Sequence, residues 1–218
     1  MKLYHGPGAC SFVPLACLER VRDSDGIDFE VATLKLHKGE QAMPEYLALN
    51  PRGQVPLLVV DGKPLPQVMA IVGYLEQRFP KAHLLPVEPM CRAQAVSTLA
   101  WFNNTVHPTF THIFMPQKFS ATDEAKAEIK RHNLALFRQQ LAEVEGMTKR
   151  GGAFLLGHQF SPLDAYALTF LRWAGLAGID LAADYPAYWA WVQKLAEYGP
   201  VKRALEVDRV PLNTYRPA

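Results

Sequence analysis

Lys2-Leu3-Tyr4-His5, then Gly6-Pro7-Gly8-Ala9, then Cys10-Ser11: a short strand runs through a glycine-rich turn into a cysteine and a serine at the start of a helix. Leu15, Leu18 and Val21 recur at helical spacing after Ser11, so the helix extends to about Arg22. Pro14 fits only in a first turn, which fixes the N-terminus near Cys10-Ser11. A helix N-terminus carries unpaired N–H groups and the positive end of the dipole. A thiol there is expected to ionise more easily, and the thiolate is the reactive form. Cys10 is thus the first candidate for chemistry. Ser11 is its rival, since a one-residue shift of the helix start exchanges them.

Outward from this stretch, Asp25-Gly26 reads as a turn and Phe29 to Leu36 alternates as a strand. Pro44 opens a short helix containing Tyr46, Leu47 and Leu49, and Asn50-Pro51-Arg52-Gly53 breaks it. Val55 to Val60 is an apolar strand. Asp61-Gly62 is a hairpin turn, from which Lys63-Pro64-Leu65 returns antiparallel. A helix over Val68 to Phe79 buries Ile71, Val72 and Leu75. The order β-α-β-α-β-β-α contains a βαβ unit, which implies parallel strands and a right-handed crossover.

Pro80, Pro86 and Pro89 punctuate a linker. Beyond it the signals are helical: Met90 to about Thr105, again near Ile113-Phe114, Asp123 to about Lys149, a helix from Ser161, and Pro186 to about Glu197. The expected organisation is an α/β domain over 1–80, a linker over 81–89 and an all-helical domain over 90–218. Ser161-Pro162-Leu163-Asp164 reads as a capping box with proline at the first helical position, so Asp164 is assigned to folding.

The 218 residues carry 23 basic and 21 acidic side chains, a balance that points to neither nucleic acid nor membrane as a partner. No leader-like segment or membrane-length apolar run is seen, so the expected compartment is the cytoplasm. Cys10, Cys17 and Cys91 form no disulfide framework or zinc spacing and read as free thiols. Cys17, in Leu15-Ala16-Cys17-Leu18, reads as core.

Two further points bear on ligand binding. Pro56 cannot donate to a strand ladder, so it belongs at an edge, a bulge or a strand start. A cis Val55-Pro56 bond would turn the Val55 backbone outward for an extended peptide ligand; the plain alternative is a trans proline at a strand start. Gln67-Val68 opens a helix whose N–H groups can hold a carboxylate, and Gln67 offers a donor and an acceptor. An extended, acidic, sulfur-containing peptide satisfies all three points.

Lys2 to Ser11 resembles the opening of bacterial beta-class glutathione S-transferases. Asn50-Pro51-Arg52-Gly53-Gln54-Val55-Pro56 resembles that family's glutathione-strand motif, and Gln67-Val68-Met69-Ala70-Ile71 with Tyr74-Leu75 its third-helix motif. The resemblance covers most of the chain. It implies a thioredoxin-like α/β N-terminal domain, an all-α C-terminal domain, glutathione as co-substrate, no metal, a small-molecule electrophile, a detoxifying role and a homodimer. It also implies that Pro56 is cis, that Val55 meets the cysteinyl part of glutathione with Gln54 among the glutathione-binding residues, and that Gln67 and Val68 hold the γ-glutamyl end. Gln41, or Lys38, would reach the glycyl carboxylate. His107, in Val106-His107-Pro108, matches a position where histidine approaches the sulfur; its plain alternative is a histidine ending a helix before Pro108. Asn103 or Asn104 would reach the neighbouring subunit's site.

Among the aromatic and methionine residues of the helical half, Phe110, Phe114 and Met115 are assigned to the electrophile pocket. Trp173, Trp189 and Trp191 are assigned to packing of the C-terminal helices. Two departures stand out: Val68 replaces a small, often hydroxylated residue, and His5 stands where tyrosine is common. Three functions remain open. They are conjugation by a glutathione thiolate, thiol–disulfide reduction through a Cys10 mixed disulfide, and a non-catalytic ligand carrier or interaction module.

Overall fold

In a computed structural model describing residues 1–216, the chain begins with β1 (Lys2–His5), α1 (Phe12–Asp25), β2 (Glu30–Thr33) and α2 (Pro44–Leu47). β3 (Leu57–Val60), β4 (Lys63–Pro66) and α3 (Val68–Arg78) follow. The strands form one sheet in the order β2-β1-β3-β4. β1 runs parallel to β2 and antiparallel to β3, with Leu3 opposite both Val31 and Leu58. This is the thioredoxin-like arrangement. β2 is shorter than the alternation from Phe29 to Leu36 suggests, because only Glu30 to Thr33 find partners on β1.

The helical half contains α4 (Pro89–Trp101), α5 (His107–Phe114), α6 (Asp123–Thr148), α7 (Pro162–Leu176), α8 (Leu181–Asp184), α9 (Pro186–Ala196) and α10 (Gly199–Asp208). α1 joins the halves, packing against α3 on one side and against α7 and α10 on the other. That explains its composition. Phe12, Val13, Leu15, Ala16, Cys17, Leu18 and Val21 are all fully buried, so the first two turns are apolar all round and charge begins only at Glu19. Glu19 is the buried charged residue of α1, and Arg22 and Arg203 pair with it at 2.8 and 2.7 Å.

Between α4 and α5 the helix does not end. Phe102–Val106 form a π turn in which the His107 N–H donates to the Phe102 carbonyl, five residues back. Pro108 supplies the reason: it has no N–H, and its ring crowds the carbonyl four residues earlier. A widened turn just ahead relieves both problems. The alternative of a helix ending at His107 is therefore corrected; the chain continues helically through Pro108.

The proline-punctuated segment after α3 is more than a tether, since Ala82, Leu84 and Leu85 are buried. The box at Ser161 forms as read. One Asp164 oxygen accepts from the Ser161 N–H and hydroxyl at 2.7 and 2.9 Å, and the other accepts from the Leu155 N–H at 2.7 Å. Burial pushes the Asp164 carboxyl up to about 7 despite these donors.

Candidate active site

The turn that carries Cys10 is fastened from the helical half. Within it, the Ala9 N–H donates to the Gly6 carbonyl, and Gly8 adopts φ +73°, a region glycine enters without a Cβ penalty. The Trp173 indole N–H donates to the Gly8 carbonyl at 2.9 Å, and the Gly8 N–H donates to Asp208 Oδ1 at 3.0 Å. Trp173 is thus more than packing for the C-terminal helices: it reaches across to the cysteine turn. Nothing in its local sequence signalled that reach.

Cys10 is 8% exposed, and its thiol lies 3.7 Å from the Val55 carbonyl as donor. Burial pushes it up to about 12, well beyond the smaller lowering from a hydrogen bond with its own backbone N–H. The expectation of an easily ionised thiol is therefore corrected: desolvation dominates, and Cys10 is a neutral S–H donor. Ser11 is also buried, and its hydroxyl bonds to His5 Nδ1 at 2.9 Å and to the Gly6 peptide. Of the two rivals, Cys10 is the one turned toward the Val55 segment.

That segment is held from behind. The Gln54 carbonyl accepts from the Tyr46 hydroxyl at 2.6 Å and from Asn50 Nδ2 at 2.7 Å. Asn50 is buried, so its side chain acts as an internal brace. The Val55-Pro56 bond is cis. Ladder pairing starts at Leu57, leaving the Val55 backbone outside the β1–β3 register. Gly53, at φ +58°, lies so close to the preceding loop that an added Cβ would sit 3.1 Å from the Gln41 carbonyl. Gln41 is half-buried with Oε1 unpartnered among the described residues, and Lys38 is exposed on the neighbouring single turn.

Gln67 takes φ +78° and ψ +129°, a conformation L-residues occupy only under constraint. It caps α3 with no side-chain hydrogen bond, so the first-turn N–H groups at Val68 and beyond lack a side-chain cap. The Gln67 side chain is exposed. Val68 is 3% exposed, so its side chain belongs to the core and position 68 offers its backbone.

The facing wall comes from α5, α7 and the π turn. His107 lies 3.4 Å from the Tyr166 hydroxyl through Nδ1, and its ring centroid is 4.7 Å from that of Trp173. Burial lowers His107 to about 4, so the ring is neutral at pH 7. The Tyr166 hydroxyl donates to Asn103 Oδ1 at 2.9 Å. Its pKa is pushed well above the usual range, first by burial and then by nearby Cys10. Tyr166 was missed in the sequence because it reads as one more apolar position of α7. Asn103 directs its side chain to Tyr166 and to exposed Asn104 within its own chain. Phe110 is buried between Phe114 and Trp173, stacked at 5.4 and 4.6 Å. Phe114 is 52% exposed at the end of this stack and Met115 is half-buried beside it.

Three sequence-distant elements thus converge: the Cys10 turn, the Val55 edge and an aromatic wall containing a neutral histidine. The family model for the glutathione S-transferase N-terminal domain matches residues 1–77, and that for the C-terminal domain matches residues 102–198. The chain belongs to the glutathione S-transferase family. The glutathione S-transferase GstA of Escherichia coli O157:H7 is 33% identical over 215 residues, covering 95% of this chain and 98% of that protein. Among solved structures, a Sulfitobacter glutathione transferase homolog with bound glutathione aligns at TM-score 0.84 and 25% identity, covering 96% and 98% of the two chains. A sphingomonad glutathione S-transferase complexed with glutathione aligns at TM-score 0.73 and 33% identity, covering 97% and 100%. Among the described residues, no group of His, Cys, Asp and Glu is placed to hold a metal ion, and no helix is long and apolar enough to cross a membrane.

Proposed function

We propose that this transferase-family chain binds glutathione and conjugates its sulfur to a hydrophobic electrophile. The observation that carries the reading is Cys10: a neutral thiol donor beside the Val55 edge, which lies outside the strand ladder. In the proposed complex the α3 N-terminus and Gln67 take the γ-glutamyl end. Val55 pairs with the cysteinyl peptide, and Gln41 with Lys38 faces the glycyl carboxylate. The ligand's sulfur lies against Cys10 and the start of α1. Its S–H proton leaves to solvent, and the thiolate is stabilised by the Cys10 donor and the positive end of the α1 dipole. The thiolate then attacks an electrophilic carbon held against Phe114, Met115 and the stack behind them. A C–S bond forms, and the leaving group departs with the bonding pair. Positioning supplies the remaining rate. His107, being neutral, acts there as a hydrogen-bonding group without charge.

A thiol raised to about 12 is ionised in only about one molecule in 10⁵ at pH 7, which favours conjugation over reduction through a Cys10 mixed disulfide. Exposed Met43, Val87, Met90 and Val96 support the homodimer, and free Cys10, Cys17 and Cys91 support a reducing, cytoplasmic setting.

Calorimetric titration with glutathione, followed by conjugation assays on an activated aryl halide, tests the proposal. Cys10→Ala is expected to retain glutathione binding and to conjugate more slowly. Loss of disulfide reduction with conjugation fully retained would shift the assignment to the reductase. Absence of glutathione binding by the unmodified protein would leave only the non-catalytic reading.

A further inference from the structure

We infer that His5 is a positioning residue for the Cys10 turn, an inference that rests on the transferase reading above. His5, Ser11 and Asp208 are each fully buried, and Arg172 is 1% exposed. His5 Nε2 lies 2.9 Å from Asp208 Oδ1, and Arg172 Nη1 lies 2.6 Å from Asp208 Oδ2. On its other side, His5 Nδ1 lies 2.9 Å from Ser11 Oγ, which accepts the Gly6 N–H at 3.0 Å.

The charge on Asp208 sets the first link. Burial works against charge on Asp208, but the hydrogen bond from His5 and the Arg172 guanidinium hold its carboxyl below the usual range. An ionised carboxylate only accepts, so His5 Nε2 carries a hydrogen. His5 Nδ1 and Ser11 Oγ share one hydrogen bond, and the Ser11 hydroxyl also lies 3.2 Å from the Gly6 carbonyl as donor. Ser11 is left with lone pairs for the Gly6 N–H. Asp208, His5, Ser11 and Gly6 therefore form one connected chain of polar contacts.

This arrangement has the members of a serine–histidine–aspartate triad but not its exposure. Ser11 is sealed, with both proton and lone pair engaged, so it is no nucleophile. Its output is geometric. Ser11 fixes the Gly6 end of the turn, while Asp208 and Trp173 fix Gly8 two residues later. Cys10 follows at once. The histidine at position 5 thus replaces the family's common tyrosine with a ring that offers polar atoms on two sides. It links the last residue of α10 to the sulfur-binding turn. Misplacing a catalytic group by about 1 Å can cost about 10²-fold in rate, so a link that sets this turn bears on turnover as well as stability.

The test is the ultraviolet thiolate absorption of glutathione bound to the full-length protein, titrated against pH. It is read for wild type, His5→Leu and His5→Gln, with the glutathione Kd measured in parallel. His5→Leu is expected to raise the bound thiol's pKa by about one unit and to lower kcat/KM about tenfold below that pKa, with Kd changed less than about threefold. His5→Gln can donate to Asp208 and accept from Ser11, and is expected to retain the wild-type thiol pKa. Wild-type behaviour of His5→Leu, or equal loss in both variants, would overturn the inference while leaving the transferase reading in place. A wild-type protein that neither binds nor ionises glutathione would instead end the transferase reading. If His5→Leu does not fold, amide exchange in the unmodified protein decides: Gly6 and Gly8 are expected to be protected at least about 100-fold, and exchange at free-turn rates would overturn the link.

Discussion

Acid should weaken this protein through His107 before most carboxylates titrate. Burial lowers its pKa from 6.5 to about 4. The unfolded chain therefore binds a proton at a pH where the folded chain does not. The stabilisation is fully present above 6.5 and is lost as pH falls toward 4. For these two pKa values, the linkage expression gives a loss of about 0.2 kcal/mol at pH 7, about 2 kcal/mol at pH 5 and about 3 kcal/mol at pH 4. His107→Gln removes the titration and keeps a polar group near the Tyr166 hydroxyl. Urea unfolding of both proteins at pH 7 and pH 5 isolates the effect, since every other titrating group is shared. Between those pH values wild type should lose about 2 kcal/mol more than the variant. Equal losses in the two proteins would refute the reasoning and return His107 to an ordinary, solvated imidazole. The same neutral ring predicts no step from His107 in the conjugation rate between pH 6 and 8.

Replacing Trp173 with Phe keeps the stack on Phe110 but removes the indole donor to Gly8; a loss of about 1 kcal/mol in urea unfolding is expected, with a larger relative fall in kcat than in glutathione affinity. Asp164→Ala strands the Leu155 and Ser161 N–H groups and should cost about 3 kcal/mol, seen as a lowered urea midpoint with an unchanged slope. Gly53→Ala places a Cβ at φ +58° and 3.1 Å from the Gln41 carbonyl, so it should destabilise by about 1–2 kcal/mol and weaken glutathione binding in calorimetry.

The elements with steric punctuation were legible in the sequence. Pro14 located the start of α1 to within two residues because proline is tolerated only in a first turn. Ser161 and Asp164 announced their own box, and Asp61-Gly62 its hairpin. Where a residue's role depends on distant partners, sequence reading stopped short. Cys10 was read from its place on a helix, but its ionisation is set by the bulk of the protein around it. Trp173 and Tyr166 carry ordinary helical spacing, and only the packing of α7 against α1 and α5 brings them to the cysteine turn. α10 was not read from the sequence; Gly199-Pro200 forms its first turn, and the helix ends on Asp208.

The π turn at Phe102–Val106 leaves a structural trace of arithmetic. A π turn holds one residue more than the α turn it replaces, so it behaves as a single-residue insertion inside a continuous helix. Deleting one residue there would restore regular winding and turn everything downstream by about 100° around the axis. His107 and Phe110 would swing off the face they share with Trp173, and Pro108 would meet an unrelieved carbonyl. Among chains sharing this fold, a gap or insertion confined to this turn therefore marks a change of the aromatic wall, even where every flanking residue is kept.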